Sequence, residues 1–117
     1  MITLYGISNC DSCRKARRWL GEHAIAHTYH DLRRDGLDET RLGRWIEAVG
    51  WQTLLNRRGT TWRRLSDADK AATNAQSAAP LMLDNVTLIK RPIIEIGTVV
   101  TVGFDDAVRT NLCGRDQ

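Results

Sequence analysis

Long apolar runs are missing from this 117-residue chain, and no stretch approaches the roughly 18 residues that a membrane-spanning helix needs. The first residues, Met-Ile-Thr-Leu-Tyr-Gly, carry neither a basic segment nor a long apolar stretch nor a small-residue cleavage site, so a cytoplasmic, non-exported protein with no membrane partner is expected. Cysteine is scarce as well. Three cysteines in a chain without a secretion signal do not make a disulfide scaffold, and their use as reactive thiols in a reducing compartment is the better expectation. A structural zinc site wants four ligands, commonly as paired Cys or His clusters, whereas Cys10 and Cys13 stand alone and His23, His27 and His30 lie along an exposed-looking stretch, so no metal is expected. Nor does one sign of charge dominate, the net being +3, although 14 of the 17 basic residues are Arg, a side chain suited to bidentate contact with oxyanions and carboxylates. What is present, 42% hydrophobic and 26% charged residues, is the composition of a globular domain, and the length suits one domain over residues 1–117.

Periodicity orders the elements. Ile2-Thr3-Leu4-Tyr5 is a short β-prone run closed by Gly6. Ser8 and Asn9 offer capping side chains to a helix over about 11 to 22, whose apolar stripe is Ala16, Trp19 and Leu20. His27 to His30 form a second strand, expected to run parallel to the first in a right-handed βαβ unit. Asp38 can cap a helix with Leu42, Trp45, Ile46 and Val49 on one face, stopped by Gly50. Trp51, Leu54 and Leu55 continue at helical spacing, residues 56–61 read as a loop, Ser66 and Asp69 resemble a capping box, and another helix starts near Ser77 with Pro80 in its first turn. Two β-branched runs, 93–96 and 99–102, flank Gly97-Thr98 as a hairpin, and Asp105 caps a last helix. This order is α/β: a thioredoxin-like fold with a helical insertion between the N-terminal βαβ unit and the C-terminal β-hairpin and helix.

Cys10-Asp11-Ser12-Cys13 falls where the first strand hands over to the first helix. The free N–H groups of a helix start favour an anion, and a thiolate is one; the following Arg14, Lys15, Arg17 and Arg18 act in the same direction. Cys13 lies one turn on, near enough to Cys10 for a disulfide, but it also fits the buried stripe as a small hydrophobe. Pro92 precedes a strand, where a cis turn and a trans edge residue are equally compatible with the sequence; Arg91 beside it could contact a carboxylate or oxyanion. His27, His30 and Asp31 are explained by strand alternation and a solvated loop, the tryptophans by helical core faces rather than nucleic-acid stacking, and Cys113 by an idle place near a polar tail.

The segments Leu4-Tyr5-Gly6, Asn9-Cys10, Cys13-Arg14-Lys15-Ala16 and Trp19-Leu20 resemble the opening of the arsenate reductase (ArsC)/Spx family, and Arg91-Pro92-Ile93 is similar to its Arg-Pro segment. Leu54-Leu55-Asn56-Arg57-Arg58-Gly59-Thr60-Thr61-Trp62 is similar to one branch, the small YffB-like proteins regarded as glutathione-dependent thiol reductases. The resemblance implies a nucleophilic Cys10 with Cys13 as its partner, and Arg14, Arg91 and Pro92 at the substrate or glutathione site. Arsenate reductases of the family use three arginines. Asn56 stands at the place of the first and the third falls at or near Gly103, so Arg91 alone carries over directly, with Arg58 a substitute for the first. The expectation is a thiol-dependent reductase with glutathione as co-substrate and no bound cofactor. Its partners would be a small oxidised thiol or oxyanion, or a disulfide-bearing protein. The alternative the resemblance implies is an Spx-like regulator that binds RNA polymerase through a Cys10/Cys13 switch.

Overall fold

The strand Ile2–Gly6 (β1) is buried from Leu4 to Gly6, because it takes partners on both edges. It pairs in parallel with Thr28–Asp31 (β2), in the register Thr3 to Thr28 and Tyr5 to His30, and antiparallel with Ile93–Ile96 (β3), in the register Ile2 to Ile96 and Tyr5 to Ile93. Val99–Val102 (β4) closes the hairpin on β3, and the four strands lie in the order β2-β1-β3-β4. A computed structural model of the chain describes residues 2–115, with side chains through residue 112.

The structure divides into two compact units. The first, Met1–Asp35 with Arg91–Gln117, holds the sheet, the helix Asp11–Glu22 (α1) and the C-terminal helix Asp106–Arg115, labelled α7 below. Its core gathers Leu4, Ala16, Leu20, Ile25, Ile94, Ile96, Val108 and Leu112, so the 3.6-residue stripe of α1 and the alternate residues of β1 and β3 meet in one apolar layer. As expected from the sequence, Gly97 takes the left-handed turn of the hairpin at φ 61° and the Asp105 carboxylate accepts from the Val108 N–H at the start of α7. Cys113 lies outside the residues whose side chains are described.

Asp31 departs from expectation. It is 5% exposed, and its carboxylate accepts from the N–H groups of Arg33 (2.9 Å) and Arg34 (3.0 Å) and from the Tyr29 hydroxyl (3.3 Å). The loop after β2 is therefore organised around a buried carboxylate that satisfies backbone donors, which periodicity cannot show.

The second unit, Gly36–Lys90, is the helical insertion. It comprises Glu39–Val49 (α2), Trp51–Leu54 (α3), Thr60–Arg64 (α4), Asp67–Ala71 (α5), Ala78–Asp84 (α6) and a 3₁₀ turn at Val86–Leu88. Asp38 caps α2 through the Arg41 N–H at 2.8 Å, and Ser66 caps α5 through Asp69. The short helix α4 begins inside the expected loop, and the Thr61 and Thr87 hydroxyls, 2.5 Å apart, tie it to the 3₁₀ turn. Among the described residues no helix is long and apolar enough to cross a membrane.

Candidate functional site

The residue that turns the chain from β1 into α1 is Cys10. Its extended backbone (φ −147°, ψ 117°) occupies the position before the first helical residue, and its carbonyl accepts the first helical N–H, from Arg14 at 3.0 Å. Ser8 and Asn9, expected as caps, stand outside this position, and no side chain closes a regular capping hydrogen bond. The reason is geometric: only the residue at the cap position aims its side chain along the free amides of the first turn, and here that side chain carries sulfur.

Cys10 is half-buried. Burial alone would push its thiol up, but the Cys13 backbone N–H, the Cys13 thiol and the Arg91 guanidinium each favour the thiolate, and together they hold Cys10 below an ordinary thiol. Cys13 is the opposite case. It is 1% exposed, and burial, with the Cys10 sulfur beside it, pushes its thiol up to about 12 despite a hydrogen bond from the Ile7 backbone. One sulfur is thus disposed to be an anion and the other to keep its proton.

Gly6 makes room for this pair. A Cβ on Gly6 would overlap the Cys13 sulfur, so the end of β1 and the first turn of α1 can approach only because the strand ends in glycine. The sequence shows Gly6 as a turn former; its role in admitting the sulfur appears only in three dimensions.

Arg91 reaches the site from the start of β3, and the Arg91–Pro92 peptide is cis, which resolves the alternative left open by the sequence. Pro92 is buried and its carbonyl accepts from the Gly103 N–H at 2.9 Å, next to the far end of the hairpin. The structure therefore brings Cys10, Cys13 and Arg91 together with Pro92 adjoining. Arg14 lies one turn into α1 but turns to solvent in an ion pair with Asp11. Arg58 belongs to the second unit, where it is exposed and its N–H donates to Asn56 Oδ1 at 3.1 Å. Also in that unit and unanticipated, the Arg57 guanidinium lies 5.9 Å from the Trp51 ring and 5.8 Å from the Trp62 ring.

Residues 5–111 match the family model described as the ArsC family. This chain belongs to the ArsC family. Among its relatives in that family, an uncharacterised protein of Haemophilus influenzae is 44% identical over 106 residues, spanning 91% of this chain and 93% of the relative. The global transcriptional regulator Spx of Streptococcus agalactiae is 32% identical over 116 residues, spanning 96% of this chain and 83% of the regulator. The solved structure of a YFFB protein superposes with a TM-score of 0.89 at 44% identity, covering 96% of this chain and 98% of that one. An arsenate reductase (ArsC) related protein of Brucella melitensis superposes with a TM-score of 0.79 at 43% identity, over 94% and 92% of the two chains. The ArsC-family assignment and the thioredoxin-like architecture agree, and together they support a thiol-dependent reductase or an Spx-like regulator.

Proposed function

We propose that this protein is a thiol-disulfide reductase coupled to glutathione, with Cys10 as the nucleophile. The observation that carries the reading is the thiolate-favouring position of Cys10, at the start of α1 and in contact with Arg91 and Cys13. The Cys10 thiolate attacks one sulfur of an oxidised substrate, forming a mixed disulfide and expelling the other sulfur as a thiolate. Cys13 first supplies an S–H hydrogen bond to the Cys10 thiolate. It then attacks the Cys10 sulfur of the mixed disulfide and passes its proton to the departing substrate thiolate, leaving a Cys10–Cys13 disulfide. Two molecules of glutathione reduce that disulfide, becoming oxidised glutathione and restoring both thiols. Arg91 is suited to a carboxylate of glutathione as well as to the thiolate, through charge-assisted hydrogen bonds worth about 1.5–3 kcal/mol.

The test is turnover of a small disulfide with glutathione as reductant, together with the intact mass after exposure to oxidised glutathione. Wild type is expected to turn over and to form an internal disulfide; Cys13→Ala to trap one glutathionyl adduct; Cys10→Ser to do neither. Arg91→Lys should keep part of the glutathione affinity and Arg91→Ala should lose roughly ten- to a hundredfold. A Cys10→Ser variant as active as wild type overturns the reading.

The second reading, an Spx-like regulator, is favoured by the 32% identity with Spx over nearly the whole chain and by two cysteines in hydrogen-bond contact. It expects no turnover and a redox-dependent retention of RNA polymerase. Arsenate included as a third substrate tests the oxyanion arm, for which Arg91 is the arginine directly at the thiol.

A further inference from the structure

One face of α1 carries Ser12, Lys15, Trp19 and Glu22 at successive turns, and a groove of about 590 Å³ runs along it in the first unit. That volume is in the range of functional ligand sites, roughly 300–1,000 Å³. The floor is aromatic. Trp19, half-buried, meets the Phe104 ring edge-on at 5.5 Å, and His23 stacks on Trp19 at 4.0 Å outside the groove's lining. The rim is basic: Lys15 and Arg18 from α1 and Arg109 from α7 stand against one lining carboxylate, Glu22. Arg109 is partly engaged, since it pairs with Asp106 and lies 5.0 Å over the Phe104 ring, whereas Lys15 and Arg18 point to solvent from exposed positions.

We propose that this groove docks an acidic, extended segment of a partner protein bearing an aromatic or branched aliphatic side chain. Positive rim charge over an aromatic floor matches carboxylates flanking an apolar anchor, while a basic segment would meet like charge. Length selects a polypeptide. From position 12 to position 22 a helix extends about 15 Å, the span of four to five extended residues. Glutathione, a tripeptide without an apolar side chain, would leave the aromatic floor uncovered. Ser12, at one end, lies between the two cysteines of the first turn, so a segment in the groove brings its parent protein to the turn that holds Cys10. That last step rests on the proposed reduction chemistry; the docking itself does not.

The experiment uses isotope-labelled full-length Cys10→Ser protein, in which thiol chemistry at Cys10 cannot contribute. The probe is the capped peptide Asp-Glu-Phe-Asp-Leu-Glu, compared with Lys-Lys-Phe-Lys-Leu-Lys and with Asp-Glu-Gly-Asp-Gly-Glu. Amide shifts confined to residues 12–22 and 104–109 are expected with the first peptide. Binding should weaken at higher salt, and by about tenfold or more in a Lys15→Glu, Arg18→Glu double variant whose fold is verified by circular dichroism. Equal binding of the basic peptide, shifts elsewhere, an unaltered affinity in the double variant, or self-association through the same residues overturns the proposal. Peptide binding in a protein whose wild type shows no reductase turnover refutes only the reduction reading; turnover without peptide binding refutes only the groove.

Discussion

At the scale of single residues, two thiols of the same intrinsic chemistry are driven apart by their surroundings. Cys10 meets donors and a cation; Cys13 meets apolar burial and an adjoining sulfur that favours its proton. The arrangement depends on a missing methyl group. Gly6→Ala would press a Cβ onto the Cys13 sulfur, which is closed in on all sides, so the side chain or the strand must shift. Overpacking of this kind costs about 1–3 kcal/mol. With the Cys13 donors displaced, the pH midpoint of Cys10 alkylation should rise toward a free thiol at about 8.5. Gly43→Ala, in α2 with open space around its Cβ, should instead stabilise by about 0.5–1 kcal/mol. Denaturant unfolding and alkylation rates against pH decide both; an unshifted Cys10 midpoint in Gly6→Ala would show that the close approach does not tune the thiol.

At the scale of elements, the exit from β2 is held by a side chain as well as by its strand partner, whose Gly6 carbonyl accepts from the Leu32 N–H at 2.8 Å. The backbone N–H groups of Arg34 and then Arg33, helped by the Tyr29 hydroxyl, hold the Asp31 carboxyl below the usual range although burial opposes them. A group whose folded pKa is depressed stabilises above its unfolded pKa, about 3.9 for Asp, and that contribution disappears as pH falls through the folded value. The urea midpoint of the wild type should therefore drop on acidification below about pH 4 more steeply than that of Asp31→Asn. Asp31→Ala leaves two N–H groups without their acceptor and should cost about 2–4 kcal/mol near neutral pH. Parallel acid profiles for wild type and Asp31→Asn would contradict this account.

At the scale of the whole molecule, folding itself withholds ionisation from Cys13. The unfolded chain would ionise this thiol near pH 8.5, whereas the folded protein keeps the proton until about 12. A raised folded pKa contributes stability that is complete below the unfolded value and declines as pH rises above it. Cys10, held low, works in the opposite sense, so the comparison must isolate Cys13. Between about pH 8.5 and 10, in reductant, wild type should lose stability faster than Cys13→Ala, measured by denaturant midpoints. Equal slopes would mean that burial does not hold the proton there.

Much of this protein follows from local pattern. The capping of α2 by Asp38, the β3–β4 hairpin, the βαβ order and the placement of Cys10 at a helix start all rest on interactions within a few residues or on apolar periodicity, which a linear sequence displays. The cap position falling to Cys10 rather than Ser8 or Asn9, the start of α4 inside a supposed loop and the burial of Asp31 were hidden, because each depends on how backbone donors are satisfied in space. Arg91 was visible as a residue beside a proline, yet its contact with Cys10 joins segments separated by most of the chain. Local pattern in the chain is enough for most of the elements and for the nucleophile candidate. Which groups surround that sulfur is set by the packed fold, because the opposed thiol shifts depend on burial, on one guanidinium and on the space left by Gly6.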